Sequence, residues 1–221
     1  MAYDLRPDEI RVLGVLIEKQ LAVPESYPMT LNSIVAASNQ KSNRDPVVSF
    51  TDSDVSTAIA TLRRRQLVDQ APPERNSRAI RFQHLADKHF GWNAAQRAIM
   101  CELMVRGPQT LGELRTHAAR MTYLESLDYA RELLGELERT DPPLVLEMER
   151  EPGRRERRFV HLLSGEPVLG EQSAPGMNQR QESADERRSP VQYGDPLEDR
   201  LAALEKRVNE LSERLTSLER G

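Results

Sequence analysis

The sequence predicts a mainly α-helical α+β fold with small β-hairpins. One observation is that helical spacing of apolar residues is followed twice by a short β-rich stretch with an arginine-bearing turn. The segment 51–82 shows this order most clearly, with a capped helix, a strand, a turn and a second strand. This is the order of the second half of a winged helix, so residues 1–91 are predicted to form one winged-helix domain.

An internal repeat predicts a second domain of the same kind. Met29-Thr30-Leu31 and Gln109-Thr110-Leu111 both open a Thr-Leu-x-x-aliphatic pattern, and they lie 80 residues apart. Each is followed by a helix, a strand and a turn that contains arginine. A tandem pair is the simplest explanation of this period, and residues 92–165 are predicted to be the second winged-helix domain.

The first domain is predicted to contain three helices before its strands. Pro7-Asp8-Glu9 favours the start of the first helix, and Thr30 is a predicted N-cap for a second helix that ends near Ser38. Asp52 opens the third helix. Its apolar spacing predicts an inward face formed by Val55, Ala58, Ile59 and Leu62.

Candidate DNA-contact residues of the first domain lie in the long polar link 39–46, on the outer face of the third helix, and in the turn between the strands. Each place has a simpler interpretation, namely a loop that spaces two helices, a solvated helix face, and arginines that favour a helix C-terminus. The candidates are Lys41, Asn43, Arg44, Thr57, Arg64, Arg75, Arg78 and Arg81.

The second domain follows a short predicted helix over 86–91. Asn93 is a predicted N-cap for a helix that ends at Gly107-Pro108, and Thr110 with Glu113 fits a capping box for the next helix. The third helix is predicted over about 126–139. Its outer face carries Asp128, Glu132, Glu136 and Arg139. Phosphates would repel the three carboxylates, so this helix is not expected to read bases.

The second domain ends in two predicted strands, 144–150 and 157–163. Pro152-Gly153 between them is a strong turn signal. Arg154 and Arg155 follow that signal, and they are predicted to contact phosphate as the arginines of the first turn do.

The C-terminal quarter is predicted to contain a flexible linker, 166–196, and a coiled-coil helix, 197–221. Apolar residues at steps of four and three form the predicted seam, which consists of Leu197, Leu201, Leu204, Val208, Leu211, Leu215 and Leu218. Such a short helix needs a partner. A homodimer is the expected arrangement, and docking onto the protein's own body is the alternative.

Composition excludes several classes. No apolar run reaches the roughly 20 residues that span a bilayer, and the N-terminus lacks a signal-peptide core, so a cytoplasmic protein is expected. Residues 1–90 hold 12 basic and 11 acidic side chains, which gives no basic excess. Cys101 is the sole cysteine and is predicted to be buried, which leaves no intramolecular disulfide.

No catalytic or cofactor signature is present. The four histidines are scattered without ligand spacing, and cysteine is nearly absent, so neither a metal nor a cofactor is expected. His84 and His161 each stand near the end of a predicted strand and are expected at the surface or edge. The protein is not expected to be an enzyme.

Several long motifs carry a family resemblance. They are Leu16-Ile17-Glu18-Lys19-Gln20, the run from Asn39 to Val47, the run from Arg106 to Arg115, and the run from Arg150 to Leu162. In these the chain resembles the YceH-like family of bacterial proteins over nearly all of residues 5–163. The resemblance implies tandem winged-helix domains in a bacterial cytosolic protein, and it implies no catalytic or ligand-binding residue.

Two functions remain open at this point. The first is a dimeric DNA-binding transcriptional regulator that holds phosphates of double-stranded DNA with the arginine turns and probes a groove with Thr57 and Arg64. The second is a protein-interaction scaffold that uses winged helices as docking surfaces, which the near-neutral charge and the acidic helix 126–139 favour.

Overall fold

The computed structural model describes residues 3–73, 79–150 and 152–165. This part of the chain is a mixed α/β structure in which small antiparallel sheets accompany the helices. The helices are α1 (Pro7–Ala22), α2 (Leu31–Ser38), α3 (Asp52–Arg64), α4 (Ala86–Phe90), α5 (Ala94–Arg106), α6 (Leu111–Ala118) and α7 (Leu127–Glu138), with a 3₁₀ turn at Pro24–Ser26. The strands are β1 (Met29–Thr30), β2 (Val68–Gln70), β3 (Arg81–His84), β4 (Gln109–Thr110), β5 (Val145–Glu147) and β6 (Arg158–His161).

The same order of elements occurs twice. We call residues 7–84 the first repeat and residues 94–161 the second repeat; each runs helix, strand, helix, helix, strand, strand. The two sheets have the equivalent strand orders β1-β3-β2 and β4-β6-β5. Their registers also correspond, because Val68 faces His84 in the first sheet and Val145 faces His161 in the second.

Side-chain caps fix where most helices begin. Thr30, Asn93 and Thr110, all predicted as caps, accept hydrogen bonds from main-chain N–H groups three residues ahead. Thr51 and Ser126 do the same for α3 and α7. The predicted helix starts are therefore confirmed.

The strands are shorter than the sequence predicts. β5 covers Val145–Glu147 where 144–150 was expected, and β6 covers Arg158–His161 where 157–163 was expected. The two-residue strands β1 and β4 were not predicted at all, because two residues give no period-2 pattern to detect. Each of them pairs with the last strand of its own repeat.

Helices α1 and α5 form the centre of the fold. Ile10, Leu13, Ile17 and Leu21 recur at the spacing of a single helix face, whereas every residue from Glu9 to Glu18 is buried. In α5 every residue from Ala98 to Val105 is buried as well, including Cys101, whose predicted burial is confirmed. The two helices pack against each other, and one hydrophobic cluster runs through both repeats. The repeats therefore share a core, which explains why neither central helix has a solvated side.

Close contact between α1 and α5 depends on Gly14. A Cβ atom at this position would lie 2.9 Å from Val105 Cγ1 and 3.0 Å from Met104 Cβ. Gly14→Ala is expected to lower the free energy of unfolding by about 1 kcal/mol, because overpacking of about 1–3 kcal/mol outweighs a gain of about 1 kcal/mol in helix propensity. Urea unfolding measures this change.

Gly112→Ala in α6 is the matched control for that substitution. A Cβ atom at Gly112 meets nothing within 4 Å, so this variant keeps only the propensity gain and is expected to be more stable than the parent by about 0.5–1 kcal/mol. If both variants were stabilised, the close contact at Gly14 would not be the constraint described.

Candidate nucleic-acid interface and its supporting charge cluster

The outer face of α3 is built from small side chains. Its inward residues Val55, Ala58, Ile59 and Leu62 are buried as predicted, which turns Ser53, Ser56, Thr57 and Ala60 outward. Thr57 Oγ1 donates to the carbonyl of Ser53 at 2.9 Å and so lies close against the helix. Arg64, also exposed, closes the row near the C-terminal end, and its Nη2 donates to Thr61 Oγ1 at 3.0 Å.

The acidic start of α3 is partly neutralised by capping. Asp54 Oδ2 accepts from the main-chain N–H of Thr51 at 2.8 Å and from its hydroxyl at 2.7 Å. These hydrogen bonds hold the pKa of Asp54 below its ordinary value. Asp54 is therefore occupied by the helix end, and Asp52 is the exposed carboxylate of the first turn without such a bond.

The link between α2 and α3 divides the predicted contact residues. Lys41 and Asn43 are exposed, as a phosphate contact would require. Arg44 is not, because its side chain has no accessible surface and its guanidinium donates to Glu18 at 2.5 and 3.2 Å. The predicted contact between Arg44 and phosphate does not fit this placement, since the guanidinium faces the interior.

The arginines of the two sheets also separate into two groups. Arg81 lies on β3 itself, half-buried, and its Nη1 donates to the carbonyl of Pro28 at 2.9 Å. Arg158 repeats this bond in the second sheet, with the carbonyl of Pro108 at 3.0 Å. Arg81 therefore ties β3 to the segment before β1. It lies on the strand and not in the turn, where it was predicted.

The remaining candidates lie at or beyond the edges of the described residues. Arg154 and Arg155 are exposed in the turn before β6, as predicted. Arg75 and Arg78 lie outside the described residues. So do the seam residues Leu197, Leu201, Leu204, Val208, Leu211, Leu215 and Leu218, and self-association through them stays a prediction.

A buried cluster of charges joins the two repeats behind these surfaces. Glu18 of α1 pairs with Arg44, and Arg120 reaches both Glu18 at 2.7 Å and Glu102 of α5 at 2.8 Å. Arg106 completes the cluster with its Nε 3.0 Å from Glu102 Oε2. Both carboxylates are fully enclosed, so the arginines are what make their burial tolerable.

The cluster perturbs the ionisation of Glu18 and Arg120. Burial alone raises the pKa of Glu18, but the hydrogen bond and the positive charge of Arg44 outweigh burial and leave the pKa below its ordinary value. Burial lowers the pKa of Arg120, but the charges of Glu102 and Glu18 outweigh it and leave the pKa raised. Glu18 and Arg120 are consequently both charged at neutral pH.

Sequence reasoning missed this cluster. The available signal was a carboxylate within an otherwise apolar helical run, at Leu16-Ile17-Glu18 and again at Cys101-Glu102-Leu103. A carboxylate on a buried face requires a cationic partner. That requirement would have assigned some of the arginines to the interior.

The strand-end histidines are more enclosed than expected. His84 is buried, which corrects its predicted surface position, and burial lowers its pKa to about 4. His161, half-buried at the equivalent position, has its pKa lowered to about 4 for the same reason.

Within residues 3–73, 79–150 and 152–165, no cluster of three or more His, Cys, Asp or Glu side chains is placed to hold a metal ion. Among the helices of those same ranges, none has the length and apolarity to cross a membrane.

The third helices of the repeats present different chemistry at equivalent positions. Matching Val55 with Ala130 and Leu62 with Leu137, both pairs buried, superposes the two helices with an offset of 75 residues. Outward Ser53 and Thr57 then correspond to Asp128 and Glu132, which are exposed. Neutral Ser53 and Thr57 of the first repeat are thus replaced by carboxylates in the second, whereas Ser56 corresponds to the exposed Arg131.

Duplicated helix-and-sheet units around a shared core, joined by a buried charge cluster, define the class of this mixed α/β protein. The chain belongs to the family described as "Protein of unknown function, DUF480", whose model matches residues 5–154.

Curated relatives in bacteria agree with this assignment. A "UPF0502 protein" of Geobacter sulfurreducens is 49% identical over 169 residues, which covers 76% of each chain. Another, of Citrifermentans bemidjiense, is 37% identical over 226 residues and covers 96% of this chain and 98% of its own. A third, of Pelobacter propionicus, is 39% identical over 216 residues, covering 98% and 94%.

Proposed function

We propose that the protein binds double-stranded DNA as a transcriptional regulator and that each repeat is a winged-helix unit. The observation that carries the proposal is the contrast between the outer faces of α3 and α7. A row of small neutral side chains that ends in an arginine allows a helix to enter a groove closely, whereas the carboxylates of α7 would be repelled by phosphates. The first repeat is therefore the reading unit.

Phosphate contacts in this proposal come from side chains of both repeats. In the first repeat they are made by Lys41 and Asn43 of the link between α2 and α3, and by Arg64 at the C-terminal end of α3. In the second repeat they are made by Arg154 and Arg155, which lie in an exposed turn. Arg75 and Arg78, which lie outside the described residues, stay predicted contacts. Arg44 and Arg81 have no part in it, because Arg44 is enclosed with Glu18 and the half-buried Arg81 donates to the carbonyl of Pro28.

The equivalent arginines Arg64 and Arg139 allow a matched test. Arg64→Gln is expected to weaken binding to random duplex DNA about fivefold, close to 1 kcal/mol, because one phosphate contact is lost. The slope of the logarithm of the binding constant against the logarithm of salt concentration should fall by about 1. Gel-shift titrations at several salt concentrations measure both quantities.

Arg139→Gln removes the same group from the corresponding end of α7 and is expected to change neither quantity.

Replacing Arg75 and Arg78 together by glutamine should weaken binding for all duplex sequences alike, as loss of phosphate contacts does. Absent or salt-independent binding of the parent protein would refute the proposal.

Docking of a partner protein is the second candidate function, and the second repeat favours it. Tyr123 is 82% exposed and Leu127, the first residue of α7, is 47% exposed. The equivalent position in the first repeat is occupied by Asp52, the first residue of α3. Asp128 and Glu132 flank Leu127, and the exposed Arg131 lies 3.8 Å from Glu147, so this surface suits a basic protein that carries an apolar side chain. A stoichiometric partner that is lost on Leu127→Asn, together with no retention on DNA, would favour this function over the first.

A further inference from the structure

The link between α2 and α3 is long and closely held. Thirteen residues separate Ser38 from Asp52, whereas eight separate Ala118 from Leu127 in the second repeat. At its base the side chain of Asn39 donates to the carbonyl of Phe50 and accepts from its N–H, both at 2.8 Å. Phe50 immediately precedes the cap of α3, so the link and the start of α3 form one connected unit.

The inner side of the link is fixed by two buried arginines of the first repeat. Arg44 donates to the carbonyl of Ala37 at 3.0 and 3.2 Å as well as to Glu18. Arg11 donates to the carbonyls of Ser38 at 3.2 Å and Pro46 at 2.7 Å. These bonds satisfy main-chain carbonyls on both sides of the tip, which leaves Lys41, Ser42 and Asn43 facing solvent.

The second repeat holds the same link from the other side. The N–H of Asp45 donates to the carbonyl of Val105 at 2.9 Å. Arg106 Nη2 donates to the side-chain oxygen of Asn43, and its Nε lies against Glu102. Arg120 of the second repeat also holds Glu18, the carboxylate that anchors Arg44.

From these contacts we infer that the second repeat positions the exposed tip 41–43 for the contact made by the first repeat, with Arg106 as the positioning residue. The purpose of this positioning rests on the proposed DNA binding, whereas the positioning itself does not. The second repeat thereby contributes to DNA recognition even though its own third helix, α7, is acidic. The two repeats act as one binding unit because the contact surface of one is held by the end of α5 in the other.

Hydrogen exchange of the full chain tests the positioning directly. Arg106→Gln is expected to raise the exchange rate of the Asp45 amide about tenfold or more, because the bond to Val105 is no longer supported by the neighbouring side-chain contact. The Phe50 amide should keep its protection, since its partner Asn39 lies within the link.

Arg97→Gln is the matched control. Arg97 also lies on α5, is 17% exposed where Arg106 is 21% exposed, and contacts Gln20 and Asp87 away from the link. It should leave the Asp45 amide unchanged. Equal acceleration in both variants would overturn the inference, because it would show a general loss of stability.

Asn43→Gly is the second variant, made from the side of the link. Asn43 has a φ of 59°, which glycine adopts readily, so the main chain is preserved while the acceptor for Arg106 is lost and the buried pair with Glu102 is kept. It should accelerate exchange at Asp45 as Arg106→Gln does. Unchanged exchange in both variants would overturn the inference.

Binding to random duplex DNA supplies the functional readout. Arg106→Gln should weaken binding about fivefold and lower the salt slope by about 1, because Lys41 is no longer held at the phosphate. Asn43→Gly serves the exchange measurement only, because Asn43 is itself a proposed phosphate contact. Accelerated exchange with unchanged DNA binding would overturn the role in recognition. A parent protein that does not bind DNA would refute the proposed function, while the exchange data would still decide whether the second repeat holds the link.

Discussion

Arg44→Met is expected to lower the free energy of unfolding by about 3–5 kcal/mol, which is the usual cost of removing one partner of a buried ion pair. Arg44 has no accessible side-chain surface and faces Glu18, which is equally enclosed. Without Arg44 the carboxylate keeps Arg120 and, at 3.8 Å, Lys19, but the bonds to the carbonyl of Ala37 and to Gln40 are also lost. A buried carboxylate without its enclosed partner and an orphaned carbonyl together account for the size of the effect.

Arg155→Met is the control for this substitution. Arg155 is exposed, so the same change of side chain is expected to alter stability by no more than about 0.5 kcal/mol. Urea unfolding of both variants at neutral pH provides the comparison. A loss below about 1 kcal/mol in Arg44→Met would show that Arg120 and Lys19 are sufficient to stabilise the buried Glu18.

Local features of the fold were predictable from the sequence because they depend on neighbouring residues. The caps at Thr30, Asn93 and Thr110 were recognised from residue type and spacing, and the structure confirms each of them. The inward face of α3 followed from the same kind of pattern. These signals lie within a few residues of one another, so no tertiary information is needed to interpret them.

The interior charge cluster was not predictable in this way. Arg44 stands in a polar link, and a polar link normally lies in solvent, so the arginine was assigned to the surface. Its partner Glu18 is 26 residues away, and Arg120, which completes the arrangement, belongs to the other repeat. Contacts between residues far apart in the sequence leave no mark in local periodicity, and this explains both the error at Arg44 and the burial of α1 on every side.

Loss of stability below neutral pH is expected to arise in part from His84. His84 Nδ1 accepts from the N–H of Ala86 at 3.2 Å, and its Nε2 lies 2.7 Å from Gln20 Oε1. The neutral ring with its proton on Nε2 satisfies both bonds. A second proton on Nδ1 would face the N–H of Ala86, so protonation requires that bond to break. Burial, more than the nearby charges of Asp87 and Arg97, lowers the pKa to about 4.

The direction of the pH effect follows from the two protonation states. Because the pKa of His84 in the folded protein is about 4 and its ordinary value is 6.5, the unfolded chain binds more protons between these values. Stability therefore falls as the pH decreases from 6.5 towards 4, and His84 accounts for about 2 kcal/mol of the loss between about pH 7 and about pH 5. His161, with the same direction of shift, adds to this loss.

His84→Asn separates this contribution from the protonation of carboxylates. The asparagine carbonyl can take the place of Nδ1 and accept from Ala86, but the side chain does not titrate. The variant is expected to be less stable than the parent near neutral pH, because the bond to Gln20 is lost, and the difference should shrink by about 2 kcal/mol at about pH 5. Urea unfolding across this range measures the difference. A constant difference at all pH values would mean that protonation of His84 is not what destabilises the fold, and the loss would then belong to groups such as Glu18, whose lowered pKa acts in the same direction at lower pH.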